Sequence, residues 1–271
     1  MPTPPWERQH SSMAATLDGG VLRLEIRRPD RLNALTFPLI AELTDALSRA
    51  AVLEEVRVVA LAGEGDRSFC SGDDLQDMQA STRSPTADNV RTHHDVLVRE
   101  VRRTPKPVVA LLKGFCLGAG FDLALSCDLR LAADNLQMGD QRPTRAIATL
   151  CGASWFLPRI VGLGRATELL MTGRRCPADE ALAIGMVNRV WPLASFDQEA
   201  ASYLADLASM PTFCLGTNKQ NVDFGLTHSL EESLAAEADR FAVNMRTPDA
   251  IEGHRSFLEK RQPTFDGRGP S

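Results

Sequence analysis

The chain has 271 residues, enough for one large domain or a domain with a smaller appendage. Its 44% hydrophobic and 24% charged content is ordinary for a soluble globular protein, and a net charge of −5 leaves no bulk basic character to hold nucleic acid or an anionic membrane. No window approaches the roughly 20 apolar residues of a membrane span, and residues 1–12 are Pro-rich and polar without the apolar stretch of a signal peptide, so a flexible tail, a cytoplasmic location and no membrane partner are expected.

Residues 17–26 suggest a hairpin turning at Asp18-Gly19-Gly20. Thr36 can cap a helix that has Pro38 in its first turn and Ile40, Leu43, Leu47 and Ala50 on its apolar face. A short apolar run, 56–62, reads as a buried strand and ends in Ser68-Phe69-Cys70-Ser71-Gly72-Asp73-Asp74-Leu75. A polar loop over 81–89 precedes a helix with Val90, Leu97 and Val101 on one face. That stretch carries Arg91, Arg99, Arg102, Arg103 and Lys106, but Asp95 and Glu100 interrupt the basic patch an RNA would need. A second buried strand, 108–112, breaks at a turn with three glycines (Gly114, Gly118, Gly120) and enters an apolar-periodic segment, 121–131, read as a helix.

From residue 195 the strand pattern disappears. Ser229-Leu230-Glu231-Glu232 is a capping box, and Thr247-Pro248 starts a further helix reaching Arg261. The six cysteines (Cys70, Cys116, Cys127, Cys151, Cys176, Cys214) form no C-x-x-C pair, and four sit in or beside apolar runs and read as small core residues in a reducing compartment. The five histidines have no metal-ligand company, so no metal is expected.

The two small-residue turns carry the chemistry. A Gly/Ala-rich strand-to-helix turn leaves backbone N–H groups unpaired where the helix dipole favours negative charge. Two such turns after two strands can each aim one N–H at a single carbonyl oxygen and stabilise an enolate or tetrahedral oxyanion. Tight strand–helix packing would explain either turn on its own.

The chain resembles the crotonase (enoyl-CoA hydratase/isomerase) superfamily. The resemblance rests on Arg28-Pro29-Asp30-Arg31-Leu32-Asn33-Ala34-Leu35, the Ser68–Leu75 segment, Lys106-Pro107-Val108-Val109-Ala110 and the run from Gly114 to Asp128. It continues through Leu157-Pro158-Arg159-Ile160-Val161-Gly162, Leu170-Met171-Thr172-Gly173, Ala183-Ile184-Gly185-Met186-Val187-Asn188 and Phe257-Leu258-Glu259-Lys260-Arg261. It implies an α/β fold: a crotonase-like spiral of ββα turns over 13–194, and a helical C-terminal region over 195–271 that assembles a homotrimer or dimer of trimers. The implied substrate is an acyl-CoA thioester, with coenzyme A as part of the substrate and no separate cofactor.

Carried over residue by residue, the resemblance makes the Asp73 and Ala119 N–H groups the oxyanion donors, although an aspartate is unusual at the first position. Asp122, three residues into the following helix, aligns with the first catalytic carboxylate; it could also merely complement the helix dipole. At the second carboxylate the pattern fails. Met138-Gly139-Asp140-Gln141-Arg142-Pro143 places Arg142 where the hydratases carry glutamate, and a guanidinium stays protonated. Asp140 is the nearby carboxylate, and a strand-like segment would point it the same way as Arg142. Arg142 could hold a substrate carboxylate bidentately or pair with Asp122 or Asp140; pairing would lower the pKa of Asp122. Trp155 lines the acyl pocket or packs in the core.

For CoA, the resemblance points to Arg31 and Leu32, to the backbone from Ser71 through Asp74 and Leu75, to Gly118, and to Phe257 and Lys260, which reach the adenine and phosphates, often of a neighbouring chain. Plain surface charges at Arg31 and Lys260 and a packed Phe257 are the alternatives. The implied function is an enoyl-CoA hydratase- or isomerase-like enzyme with Asp122 as acid/base. A hydrolase of CoA thioesters or carbon–carbon bonds, or a non-catalytic acyl-CoA binder, would share the same hole.

Overall fold

The computed structural model describes residues 12–74, 76 and 93–270. The expected tail, the loop over 81–89, Val90 and Leu75 lie outside the described residues. Strands β1 (Met13–Asp18) and β2 (Val21–Ile26) pair antiparallel as expected, turning through Gly19 and Gly20 at φ 52° and 82°. Two consecutive positive φ angles make the tight turn whose twist suits a hairpin, and glycine adopts them without strain. Helix α1 (Phe37–Val52) starts where expected: the Thr36 hydroxyl accepts the Leu39 N–H, and Leu39, Ile40, Leu43, Leu47 and Ala50 are buried.

Strands β3 (Val58–Gly63), β5 (Val108–Leu112), β7 (Leu129–Ala133) and β10 (Arg189–Trp191) extend the hairpin into a six-stranded sheet, parallel from β2 onward, in the order β1-β2-β3-β5-β7-β10. Every residue of β3 and β5 is buried, as both faces of a parallel sheet must be when helices cover each side. Alternate residues divide between two cores. Val59, Leu61, Val108, Ala110 and Leu112 join the core that includes α1. Val58, Ala60, Ala62, Val109 and Leu111 pack under Phe196, Ala200, Leu204 and Ala208, a four-residue-spaced stripe on α7 (Leu193–Ser209).

A second, smaller sheet carries the site. Its strands are β4 (Ser68–Cys70), β6 (Phe115–Leu117), β8 (Gln137–Gly139) and β9 (Cys176–Pro177), in that order. The segment 121–131, read from sequence as one helix, is helix α3 (Ala119–Ser126) followed by strand β7. The apolar run is continuous because a fully buried helix and a buried strand have the same composition. The break at Cys127-Asp128 is fixed by tertiary bonds: Asp128 accepts the Val108 N–H and the Arg102 guanidinium. Likewise the turn after β5 is two turns with β6 between them. Gly114, at φ 59°, makes the first; a Cβ there would lie 2.1 Å from the Arg67 carbonyl oxygen.

The remaining helices are α2 (His94–Arg103), α4 (Ala153–Val161), α5 (Leu163–Thr172) and α6 (Ala178–Ala183), and, after α7, α8 (Thr212–Gly225), α9 (Leu230–Asn244) and α10 (Pro248–Glu259). Beyond Trp191 every described element is a helix. The capping box at Ser229 and Glu232 forms in full, and the Thr247 hydroxyl accepts the Ala250 N–H at the start of α10. No helix of the described residues is long and apolar enough to cross a membrane. The cysteines are free thiols, all buried except the half-buried Cys214.

Candidate active site

Three loops meet because three strands run side by side. Strand β6 pairs parallel with β4 through Ser68↔Phe115 and Cys70↔Cys116, and with β8 through Phe115↔Gln137 and Leu117↔Gly139. All three end at the same edge and deliver residues 71–74, 118–120 and 140–142 to one place. The outer edge of parallel strand ends is where α/β folds assemble their sites.

Gly72 and Gly118 let two of these loops touch. Gly72 has φ 106°, and a Cβ there would lie 3.2 Å from the Leu117 oxygen and 3.5 Å from the Ala119 nitrogen. Behind them Gly120 abuts β4: a Cβ would meet the Cys70 carbonyl oxygen at 2.4 Å. Leu35 accepts the Asp74 N–H and donates to the Gly72 carbonyl, so the loop is held on both sides of Asp73. The Asp73 and Ala119 N–H groups donate to no other described residue. Ala119 is the first residue of α3, so its N–H has no partner within the helix.

One turn into α3, the Asp122 side chain is 1% exposed. Arg142 Nη2 donates to Asp122 Oδ1 at 2.8 Å, and Arg142 Nε donates to Asp140 Oδ1 at 2.6 Å. Of the openings left by sequence, the structure realises the ion pair, and with both carboxylates at once. The segment is not strand-like there: β8 stops at Gly139, and residues 142–145 form a 3-10 turn that folds Arg142 back over Asp140, whose Oδ1 also accepts the Arg142 N–H. Asp122 Oδ2, Asp140 Oδ2 and Arg142 Nη1 are buried without a partner among the described residues.

The Arg142 pair does act to lower the Asp122 pKa, as expected, but it does not set the net value. Burial outweighs Arg142 and, with Asp140 and Asp73 adding repulsion, pushes Asp122 up to about 7. The carboxyl can therefore give or take a proton near neutral pH.

Asp73, the residue out of pattern at the donor position, has a partner that sequence reasoning missed. His94 Nε2 lies 2.6 Å from Asp73 Oδ1. The His94 side chain is 6% exposed and its Nδ1 is buried with no partner among the described residues. The two are 21 positions apart, and periodicity assigned His94 only to a helix. An acidic residue where small or apolar ones are usual was the available signal.

Beside this cluster lies a cavity of about 590 Å³ lined by Cys151, Trp155, Phe156 and, from α2, Asp95, Val98 and Arg99 among others. Cys151 links it to the site: burial pushes its thiol up, and Asp122, Asp73 and Asp95 all lie within electrostatic reach. Trp155 both lines the cavity and packs on the main core, with the Arg159 guanidinium 4.2 Å from its ring centre.

The other expected residues are placed less tightly. Leu32 sits at φ 50° at the end of the 3-10 turn Pro29–Arg31, and its carbonyl accepts the Ser71 N–H, which sets Arg31 and Leu32 beside the Asp73 loop. The Asp74 side chain is paired with Arg28 at 2.8 Å, and its backbone N–H donates to the Leu35 carbonyl. Phe257 is 83% exposed on α10 and Lys260 caps that helix at φ 55°; among the described residues neither bonds to a residue of the cluster.

A family model described as enoyl-CoA hydratase/isomerase matches residues 16–268. A 1,2-epoxyphenylacetyl-CoA isomerase from Escherichia coli K12 is 33% identical over 255 residues, covering 93% of this chain and 97% of its own. A crotonyl-CoA hydratase from Syntrophomonas wolfei is 33% identical over 242 residues, covering 89% and 93%. Among solved structures, an enoyl-CoA hydratase from Bacillus anthracis superposes with a TM-score of 0.88 at 31% identity, covering 95% of this chain and all, 100%, of that one. Fold, strand-end geometry and near full-length similarity agree: the chain belongs to the enoyl-CoA hydratase/isomerase family.

Proposed function

We propose that the protein polarises an acyl-CoA thioester between the Asp73 and Ala119 N–H groups and moves a single proton with Asp122, an isomerase-like reaction. The carrying observation is Arg142 locked between Asp122 and Asp140, because it removes the second free carboxylate that water addition needs. In the isomerisation, a C–H bond next to the activated system breaks, its proton goes to an Asp122 oxygen, and the electron pair moves onto the thioester oxygen. The enolate then collapses and the same carboxyl returns the proton at another carbon. One group near pKa 7 suffices, and the two backbone N–H groups hold the charge in between. Similarity to the 1,2-epoxyphenylacetyl-CoA isomerase supports this, and similarity to the crotonyl-CoA hydratase keeps hydration as the competing reading.

Coenzyme A itself is assigned to Arg31, Leu32, the backbone of 71–75 and Gly118, with Phe257 and Lys260 supplied by a neighbouring copy. Exposed Leu230, Leu234, Phe241, Ile251, Phe257 and Leu258 on α9 and α10 support a homotrimer or dimer of trimers. Parallel turnover assays with 2-enoyl- and 3-enoyl-CoA substrates of short, long, branched and carboxylated chains test the reading. Faster 3-enoyl isomerisation than 2-enoyl hydration is expected. Fast hydration with no isomerisation contradicts it, and binding of every thioester without turnover favours a non-catalytic binder.

A further inference from the structure

An aspartate at an oxyanion donor is a physical problem. The carboxyl of Asp73 is three bonds from the N–H that is to stabilise a negative oxygen, so its charge necessarily stands close to the enolate. Its field reaches the site in this structure: Asp73 raises the pKa of Asp122, Cys70 and Cys151 alike. A like charge near a developing oxyanion opposes it, most of all where water is excluded.

The structure holds a remedy. His94 Nε2 is 2.6 Å from Asp73 Oδ1, and both side chains are largely shielded, at 6% and 16% exposure. His94 is the first residue of α2, and its ring reaches the Asp73 carboxylate from there. Among the described residues, Asp95 follows His94 in α2, and Asp122, whose pKa Asp73 raises, is held by Arg142. Phe37 of α1 presents its ring at 6.1 Å from that of His94 and at 4.3 Å, tilted by 45°, from that of His93.

We propose that His94 is the partner that makes an aspartate workable at the oxyanion donor: its imidazole, held 2.6 Å from the Asp73 carboxylate, offsets that charge and so favours the enolate on the adjacent N–H. His94 is a positioning residue that acts through Asp73. The inference rests on the reading that the Asp73 N–H binds the thioester oxygen.

Acetoacetyl-CoA is the probe, because its enolate absorbs in the near ultraviolet and reports the charge at the thioester oxygen directly. Titrating the bound ligand with pH gives an apparent pKa of enolisation. His94→Gln takes the imidazole away from the Asp73 carboxylate and should raise that value by about one unit, a tenfold loss of enolate. Adding Asp73→Asn to His94→Gln should bring it back to the wild-type value or below, since no carboxylate is left to neutralise. Asp73→Asn alone should not raise it, which keeps the test alive if His94→Gln folds poorly. An unchanged value in His94→Gln overturns the inference. So does a raised value that Asp73→Asn fails to correct, the mark of a merely structural contact. Wild-type protein that binds no acetoacetyl-CoA overturns the proposed function and this inference together, whereas binding with an unmoved pKa overturns this one alone.

Discussion

Arg142 Nη2 and Asp122 Oδ1 stand 2.8 Å apart, and this pair decides what the site can do. The guanidinium also holds Asp140, and in the proposed reaction one carboxyl, that of Asp122, is left to exchange protons. Burial keeps that carboxyl from ionising easily, and Arg142 keeps it from being lost to the neutral form altogether.

Arg142→Met should therefore leave two buried carboxylates facing each other. Breaking a buried ion pair costs about 3–5 kcal/mol, which chemical denaturation would read. Arg142 lowers the Asp122 pKa, so its removal should move that value above about 7 and shift the pH–rate profile to higher pH. A group with a raised folded pKa loses its stabilising contribution as pH rises through that pKa, so the variant should suffer more at pH 8 than at pH 5. Equal loss at both would argue against a titrating Asp122.

Ala119→Pro removes the N–H at the first position of α3, where the ring itself is compatible with a helix. Turnover should fall at least about a hundredfold, the usual cost of an oxyanion donor. Calorimetry with a saturated acyl-CoA should show binding largely retained. Undiminished turnover would remove Ala119 from the hole.

Gly120→Ala tests the packing beneath the hole. Its Cβ would stand 2.4 Å from the Cys70 carbonyl oxygen, a backbone atom that cannot swing aside. The loops must part, so both thermal stability and turnover should drop, typically by about 1–3 kcal/mol for overpacking of this kind. A variant as stable as the wild type would show that α3 and β4 are not in such close contact.

The hairpin at Gly19-Gly20, the caps at Thr36, Ser229 and Thr247 and the strand over 108–112 were legible because each rests on local chemistry. The end of α3 was not, because an eight-residue buried helix and the strand after it share one apolar run; what stops the helix is Asp128 bonding to Val108 and Arg102. Ala119, Asp122 and Arg142 were singled out by pattern, and the structure brings Asp122 and Arg142 into contact. The charge state of Asp122 was not, since the balance of burial against Arg142 depends on how completely Ala119–Ser126 is enclosed. His94 escaped because its partner Asp73 is distant in sequence.

The claim that Asp122 alone carries the proton is tested most directly by Asp122→Asn, followed as the rate of 3-enoyl-CoA isomerisation and as acyl-CoA affinity. General acid–base groups contribute about 10²–10⁴ in rate, so the variant should lose at least about a hundredfold in turnover with its affinity nearly unchanged. The wild-type rate for proton abstraction should rise with pH through about 7 and flatten above it. Isomerisation by Asp122→Asn at wild-type speed, with the same pH profile, would contradict the account and hand the proton to another group.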